Sequence, residues 1–192
     1  DYPAISGTSP LKLVVFGGSQ GARVMTEIVP GALGMLDEKF RVRLEVVQQC
    51  RDEDLAEAQS IYRRLAVKAE LAPFFSDLPA KIAASNLVIG RSGASTVSEL
   101  SAIGRPSILV PLPHAIDNDQ LANASSLAAA GGALVIRQAE FTSARLASEL
   151  TTLFNDPLRL PAMARAAKAE GRIDAAERLA DLVVKVAGVA PT

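Results

Sequence analysis

The chain has 192 residues, 49% of them hydrophobic and 21% charged; this size and balance suit one globular domain and exclude the disordered, collagen-like and low-complexity classes. Twenty basic against twenty-one acidic side chains leave a formal charge of -1, so no overall positive field is available to hold a nucleic acid. Cys50 is the single cysteine, which excludes an internal disulfide and a cysteine-rich metal cluster and agrees with a reducing, cytoplasmic setting.

The first residues, Asp1-Tyr2-Pro3-Ala4, hold no Met, no basic n-region and no apolar h-region, so the start reads as a cut one with no secretory signal. From there, apolar runs of strand length alternate with segments of helical period almost to the end. This is the pattern of an α/β chain with a parallel sheet covered by helices on both faces. Strands are predicted at 11–16, 43–47, 67–71, 87–89, 107–112 and 133–136. Helices are predicted at 22–35, 54–65, 78–85, 96–103, 119–130, 142–155, 158–168 and 175–187. Gly104 and Gly131 fall where helix C-terminal glycines belong. Runs such as 87–89 and 108–112 are far too short to span a bilayer. The expected architecture is a Rossmann-like open sheet of about six strands, forming a single domain over 1–192 whose helical segment 157–187 closes it as an appendage.

In such a sheet ligands bind beyond the carboxyl ends of the strands, so the loops after the strands are the informative ones. Gly17-Gly18-Ser19-Gln20-Gly21-Ala22-Arg23 follows the first strand and opens the first helix, where unpaired N–H groups and the helix dipole favour a phosphate. It departs from the dinucleotide and Walker A fingerprints. It does satisfy G-x-S-x-G, so a serine hydrolase built on Ser19 is the alternative reading. Against that, a triad needs a histidine after its nucleophile and acid, and the chain's one histidine, His114, lies at mid-chain.

Gly90-Arg91-Ser92-Gly93-Ala94-Ser95-Thr96-Val97-Ser98-Glu99 follows the fourth strand. Ser92, Ser95 and Thr96 are candidate N-caps, and the Thr96 to Glu99 spacing fits a capping box. A second glycine-serine loop also suggests two helix N-termini converging on one diphosphate. The stretch from Pro111 to Ala124 is crowded with amides and carboxylates; Asp117 or Asn118 suits a cap, and the remainder suit sugar hydroxyls. Asp117-Asn118-Asp119 and Asp52-Glu53-Asp54 both match D-x-D, a pattern that can hold a metal, although the second sits where acidic residues stabilise a helix start. Pro73-Phe74-Phe75-Ser76-Asp77 places two of the six phenylalanines in a turn. Packing over the sheet edge and reading of a flat base by the backbone are both open there.

Taken together, the loops resemble the carboxyl-terminal half of the MurG family, N-acetylglucosaminyltransferases that convert lipid I to lipid II in bacterial peptidoglycan synthesis. The resemblance runs from about Leu11 to Leu182. It is carried by Gly17-Gly18-Ser19-Gln20-Gly21-Ala22-Arg23, Arg91-Ser92-Gly93-Ala94 with Thr96-Val97-Ser98-Glu99, Gln120 with Asn123-Ala124, and Asp174-Ala175-Ala176-Glu177-Arg178. It implies the carboxyl-terminal half of a GT-B glycosyltransferase, an inverting hexosyltransferase when whole. By this resemblance the phosphates lie near Ser19, within the loops of Gly17, Gly18, Gly21, Ser92 and Gly93. The uracil of UDP-GlcNAc is read at Phe75, the ribose meets Glu99, Ser95 and Thr96 border the nucleotide, and the sugar meets Asp119 and Gln120.

No metal, cofactor or catalytic residue is implied in this half; the catalytic histidine and the lipid I site belong to an amino-terminal domain that the chain lacks, so the isolated chain is expected to be inactive. The whole enzyme is expected to sit peripherally on the cytoplasmic face of the inner membrane. Two departures stand out: Asp119 replaces the Gln or His usual before the sugar-binding Gln, and Gln48-Gln49-Cys50-Arg51 replaces a His-Gln segment after the second strand.

Overall fold

The computed structural model describes residues 2–3, 5–17, 23–113, 118–172 and 174–187, without the Ala176 side chain. In chain order the elements are β1 (Leu11–Phe16), α1 (Arg23–Gly34), α2 (Glu38–Arg41), β2 (Leu44–Gln49), α3 (Leu55–Arg64), β3 (Lys68–Ala72), α4 (Leu78–Ala84), β4 (Leu87–Gly90), α5 (Ala94–Ile103), β5 (Ser107–Leu109), α6 (Asp119–Ala129), β6 (Ala133–Val135), α7 (Ser143–Asn155), α8 (Arg159–Ala169) and α9 (Ala175–Ala187). Short 3-10 turns at Asp52–Asp54 and Gln138–Glu140 lead into α3 and towards α7.

The six strands form one parallel sheet in the order β3-β2-β1-β4-β5-β6. Side chains of successive strand residues point to opposite faces, and β1 divides accordingly. Leu11, Leu13 and Val15 join a core with Met25, Val29 and Leu33 of α1, Tyr62 of α3, and Leu146, Leu150 and Leu153 of α7. Val14 and Phe16 join the opposite core with Ile82 of α4, Leu100 of α5, and Ala124 and Leu127 of α6. The central strands β4 and β5 are buried throughout, whereas the edge strand β3 is mostly half-exposed, as expected for a sheet covered on both faces but open at its rims.

Several boundaries differ from expectation for identifiable reasons. β2 runs two residues further, because Gln48 and Gln49 keep their ladder pairing with Leu71 and Ala72. Buried Gln48 is satisfied there: its Oε1 accepts the Tyr62 hydroxyl and its Nε2 donates to Thr26 Oγ1. β5 stops at Leu109 rather than reaching residue 112; Pro111 and Pro113, lacking N–H groups, cannot extend a ladder. α2 is missing from the expected elements. Its four residues are too few for a periodic signal, and it is held by the Asp37 carboxylate, which accepts from Lys39 N.

α5 starts two residues early, with Gly93 as N-cap and no side-chain cap. Thr96 is therefore the third helical residue, and neither the Thr96–Glu99 capping box nor capping by Ser92 or Ser95 forms. Gly104 closes α5 in the left-handed conformation at φ 77°, and Gly131 has φ 87° just beyond α6. At the carboxyl end α8 packs against α5 and buries Leu160, Met163, Ala164 and Ala167. α9 instead leaves Leu179, Leu182, Val183 and Val186 exposed. No helix among the described residues is long and apolar enough to cross a membrane.

Candidate functional site

The sheet order reverses direction between β1 and β4. That is the topological switch point at which open α/β sheets form a crevice beyond their carboxyl ends. The Phe16↔Gly90 pairing brings the ends of β1 and β4 level. A side chain at Gly90 would meet the Phe16 carbonyl oxygen at 3.0 Å, so this close approach needs the missing Cβ. Gly17 leaves β1 at the crevice; Gly18, Ser19 and Gly21 lie outside the described residues, as do His114 and Asp117.

From β4 the chain passes through Arg91, Ser92 and Gly93 into α5. Among the described residues a Cβ at Gly93 would meet no atom within 4 Å, so none of them crowds the N-terminus of α5. With no side-chain cap, its first-turn N–H groups retain the capacity to bind an anion. Ser95 and Glu99 are exposed and one turn apart on the same face of α5, while Thr96 is buried beside them. This arrangement puts the positive end of a helix, a hydroxyl and a carboxylate along one rim of the crevice.

Residues 110–113 and the start of α6 form the opposite rim. Asn118 occupies the N-cap position of α6 at φ 53° without a side-chain cap bond. Asp119 Oδ1 accepts from Gln120 N at 2.7 Å. Gln120 Oε1 accepts from Leu112 N at 3.0 Å, which leaves its amide the Nε2 donor pair and one lone pair of Oε1 to offer a ligand. Two bonds stitch the start of α6 to the β4–α5 loop: Ser92 Oγ donates to Gln120 O at 2.7 Å, and Asn123 Nδ2 donates to Ser92 O at 3.3 Å. Ser92 is thus a buried brace.

On the far side, the β3–α4 turn carries an exposed Phe74 and a half-buried Phe75, whose ring lies 5.1 Å from Lys81 Nζ. Lys81 is engaged in turn by Glu70 and Asp77, and Glu70 chiefly raises its pKa. Gln49 Nε2 donates to Pro73 O at 3.0 Å and ties the turn to β2. Because α4 packs against α5, this turn and Glu99 belong to neighbouring elements.

Residues absent from the expected site matter to its construction. Arg91 is buried and bonds Val110 O, Pro111 O and Gln138 Oε1; Gln49 and Gln138 act as anchors. Their roles depend on which loops become neighbours in three dimensions, and neighbouring sequence carries no sign of that. Asp52-Glu53-Asp54 does sit at a helix start, in a 3-10 turn. Asp54 Oδ2 is buried there without a partner among the described residues. No group of three or more potential metal ligands occurs among the described residues. Burial raises the Cys50 thiol pKa above its ordinary value.

Residues 12–179 match the glycosyltransferase family 28 C-terminal domain. The chain is 61% identical over 188 residues to a protein of Bradyrhizobium diazoefficiens named UDP-N-acetylglucosamine--N-acetylmuramyl-(pentapeptide) pyrophosphoryl-undecaprenol N-acetylglucosamine transferase. The match covers 98% of this chain and 51% of that protein. A protein of the same name from Rhodopseudomonas palustris is 60% identical, with the same coverage. The crystal structure of Acinetobacter baumannii MurG superposes with a TM-score of 0.85 at 31% identity, covering 95% of this chain and 54% of that one. The chain therefore spans about half the length of the relatives it matches. None of these three is a hydrolase. With the matched segment extending from β1 into α9, and the switch-point fold shared with MurG, the chain belongs to the glycosyltransferase family 28 C-terminal domain.

Proposed function

We propose that this chain is the donor-binding half of an N-acetylglucosaminyltransferase, a single domain over 1–192 that holds UDP-GlcNAc for transfer to lipid I. The observation that carries the reading is the uncapped N-terminus of α5 opening beside the end of β1 at the switch point, in a chain of this family. The diphosphate lies between the 17–22 loop, with Gly17, Gly18, Ser19 and Gly21, and the Ser92-Gly93 turn. Helix dipoles and small residues stabilise it there without a metal. The base lies against the turn of Phe75. Glu99 accepts hydrogen bonds from the ribose hydroxyls, with Ser95 and Thr96 alongside, and the sugar meets Asp119 and Gln120.

Transfer of the sugar with inversion needs a base within hydrogen-bond reach of the acceptor hydroxyl. In our reading that base and the lipid I site belong to the other half of the whole protein, which works on the cytoplasmic face of the bacterial inner membrane. This chain alone then transfers no sugar; turnover of lipid I by the purified chain would overturn that point.

Mapping amide chemical shifts during titration with UDP-GlcNAc tests the site assignment. The expected perturbations fall at 17–22, 75, 92–99 and 118–123. Perturbations confined to the cavity between α1 and α3, lined by Arg23, Thr26, Glu27, Asp54 and Glu57, would refute it.

A further inference from the structure

Arg91 is the first residue beyond β4, and the residue is 8% exposed. Its Nη1 donates to the carbonyl oxygens of Val110 at 3.1 Å and Pro111 at 3.2 Å, and its Nη2 donates to Gln138 Oε1 at 2.6 Å. No carboxylate pairs with it among the described residues. With these neutral acceptors the buried cation supplies geometry, because the planar fork fixes several acceptors at once.

Those acceptors lie on two different loops. Val110 and Pro111 lie where the chain leaves β5, and Gln138 lies in the 3-10 turn after β6. One side chain thus gathers the exits of β4, β5 and β6. The carbonyl of Pro111 belongs to the peptide whose N–H, on Leu112, donates to Gln120 Oε1, so the fork grips the same peptide unit that orients the Gln120 amide. Ser92, the next residue, bonds the Gln120 carbonyl.

Resting on the donor-site reading above, we propose that Arg91 is a positioning residue: it holds the β5–α6 loop so that Gln120 and Asp119 stand at the sugar end of the crevice. The consequence is selective. Loss of the fork should loosen the sugar rim while leaving the base turn and the N-terminus of α5 in place. A purely electrostatic role, in which the buried charge attracts the diphosphate, would instead weaken every diphosphate ligand and be restored by any cation at position 91.

The test compares wild type, Arg91→Lys and Arg91→Met, with Gln138→Leu as a milder removal of one anchor in case Arg91→Met does not fold. UDP-GlcNAc and UDP are titrated into each, and amide exchange at Leu112 is followed without ligand. The proposal predicts faster Leu112 exchange in all variants. UDP-GlcNAc affinity should fall about tenfold in both Arg91 variants, and less in Gln138→Leu, while UDP affinity changes by less than about threefold. Unchanged exchange at Leu112, restoration by lysine, or equal losses for UDP and UDP-GlcNAc would each overturn it. Wild type that binds neither ligand would overturn the donor reading itself, and the proposal with it. Failure of the proposal alone leaves wild-type binding intact.

Discussion

Glu99 is exposed on the second turn of α5, in line with Ser95, and Gly93 rather than Thr96 caps the helix. The carboxylate therefore has no capping duty, and its proposed partner is the ribose. A hydrogen bond to a charged group contributes about 1.5–3 kcal/mol, so Glu99→Ala should weaken UDP binding by roughly tenfold to a hundredfold. The apo melting temperature should stay near wild type, and the preference for UDP over 2′-deoxy-UDP should largely vanish; an intact preference would remove Glu99 from the site. Cys50 illustrates the opposite case. Its thiol is 2% exposed and burial raises its pKa, so the reactive thiolate is scarce at pH 8. A disulfide reagent should modify it slowly in the native chain and rapidly after unfolding; fast native modification would contradict the buried placement. At this scale the placement of Ser92 and Gly93 after β4, and of Asp119 and Gln120 after β5, was legible, because each lies between an apolar run and a segment of helical period. Arg91, Gln49 and Gln138 were not, since a buried fork is defined by carbonyls from loops distant in sequence.

Elements were read best where one physical signal acted alone. β1 and β4 are dense in Leu, Val and Ile because both their faces are covered, and their apolar runs marked them closely. β2 was cut short because Gln48 and Gln49 look like loop residues until Tyr62 and the neighbouring strand satisfy them. The start of α5 was misplaced because serine and threonine are stronger cap signals than the glycine that serves. Its end was read correctly from Gly104, and there the conformation is decisive. Gly104 has φ 77°, and an added Cβ would stand 2.9 Å from Lys168 Cβ. Left-handed backbone is costly for any residue with a Cβ, and here α8 also blocks the space. Gly104→Ala should lower stability by about 1–3 kcal/mol in urea denaturation. A stability within 0.5 kcal/mol or so of wild type would mean that α5 and α8 separate easily.

Across the whole molecule, the strand order places the Phe75 turn at one side, the paired ends of β1 and β4 in the middle, and the Gln120 loop on the other side. The four strand spacings from β3 to β5 amount to about 19 Å at roughly 4.8 Å each. A base, a diphosphate and a sugar can be laid along this line in that order. The alternation of strands and helices made the parallel sheet legible from the sequence, while the strand order β3-β2-β1-β4-β5-β6 came only with the structure. The chain spans about half the length of its relatives; in the proposed function, chemistry that needs an acceptor falls to the other half of the whole protein.

In the proposed function a helix N-terminus and glycine-rich turns hold a UDP-sugar diphosphate without a metal. Calorimetric titration of the chain with UDP-GlcNAc, performed once in EDTA and once with magnesium, should then give saturable binding of one ligand per chain with the same affinity in both buffers. Binding that disappears in EDTA and returns with magnesium would contradict it and turn attention to Asp119 and its neighbour Asp117 as metal ligands.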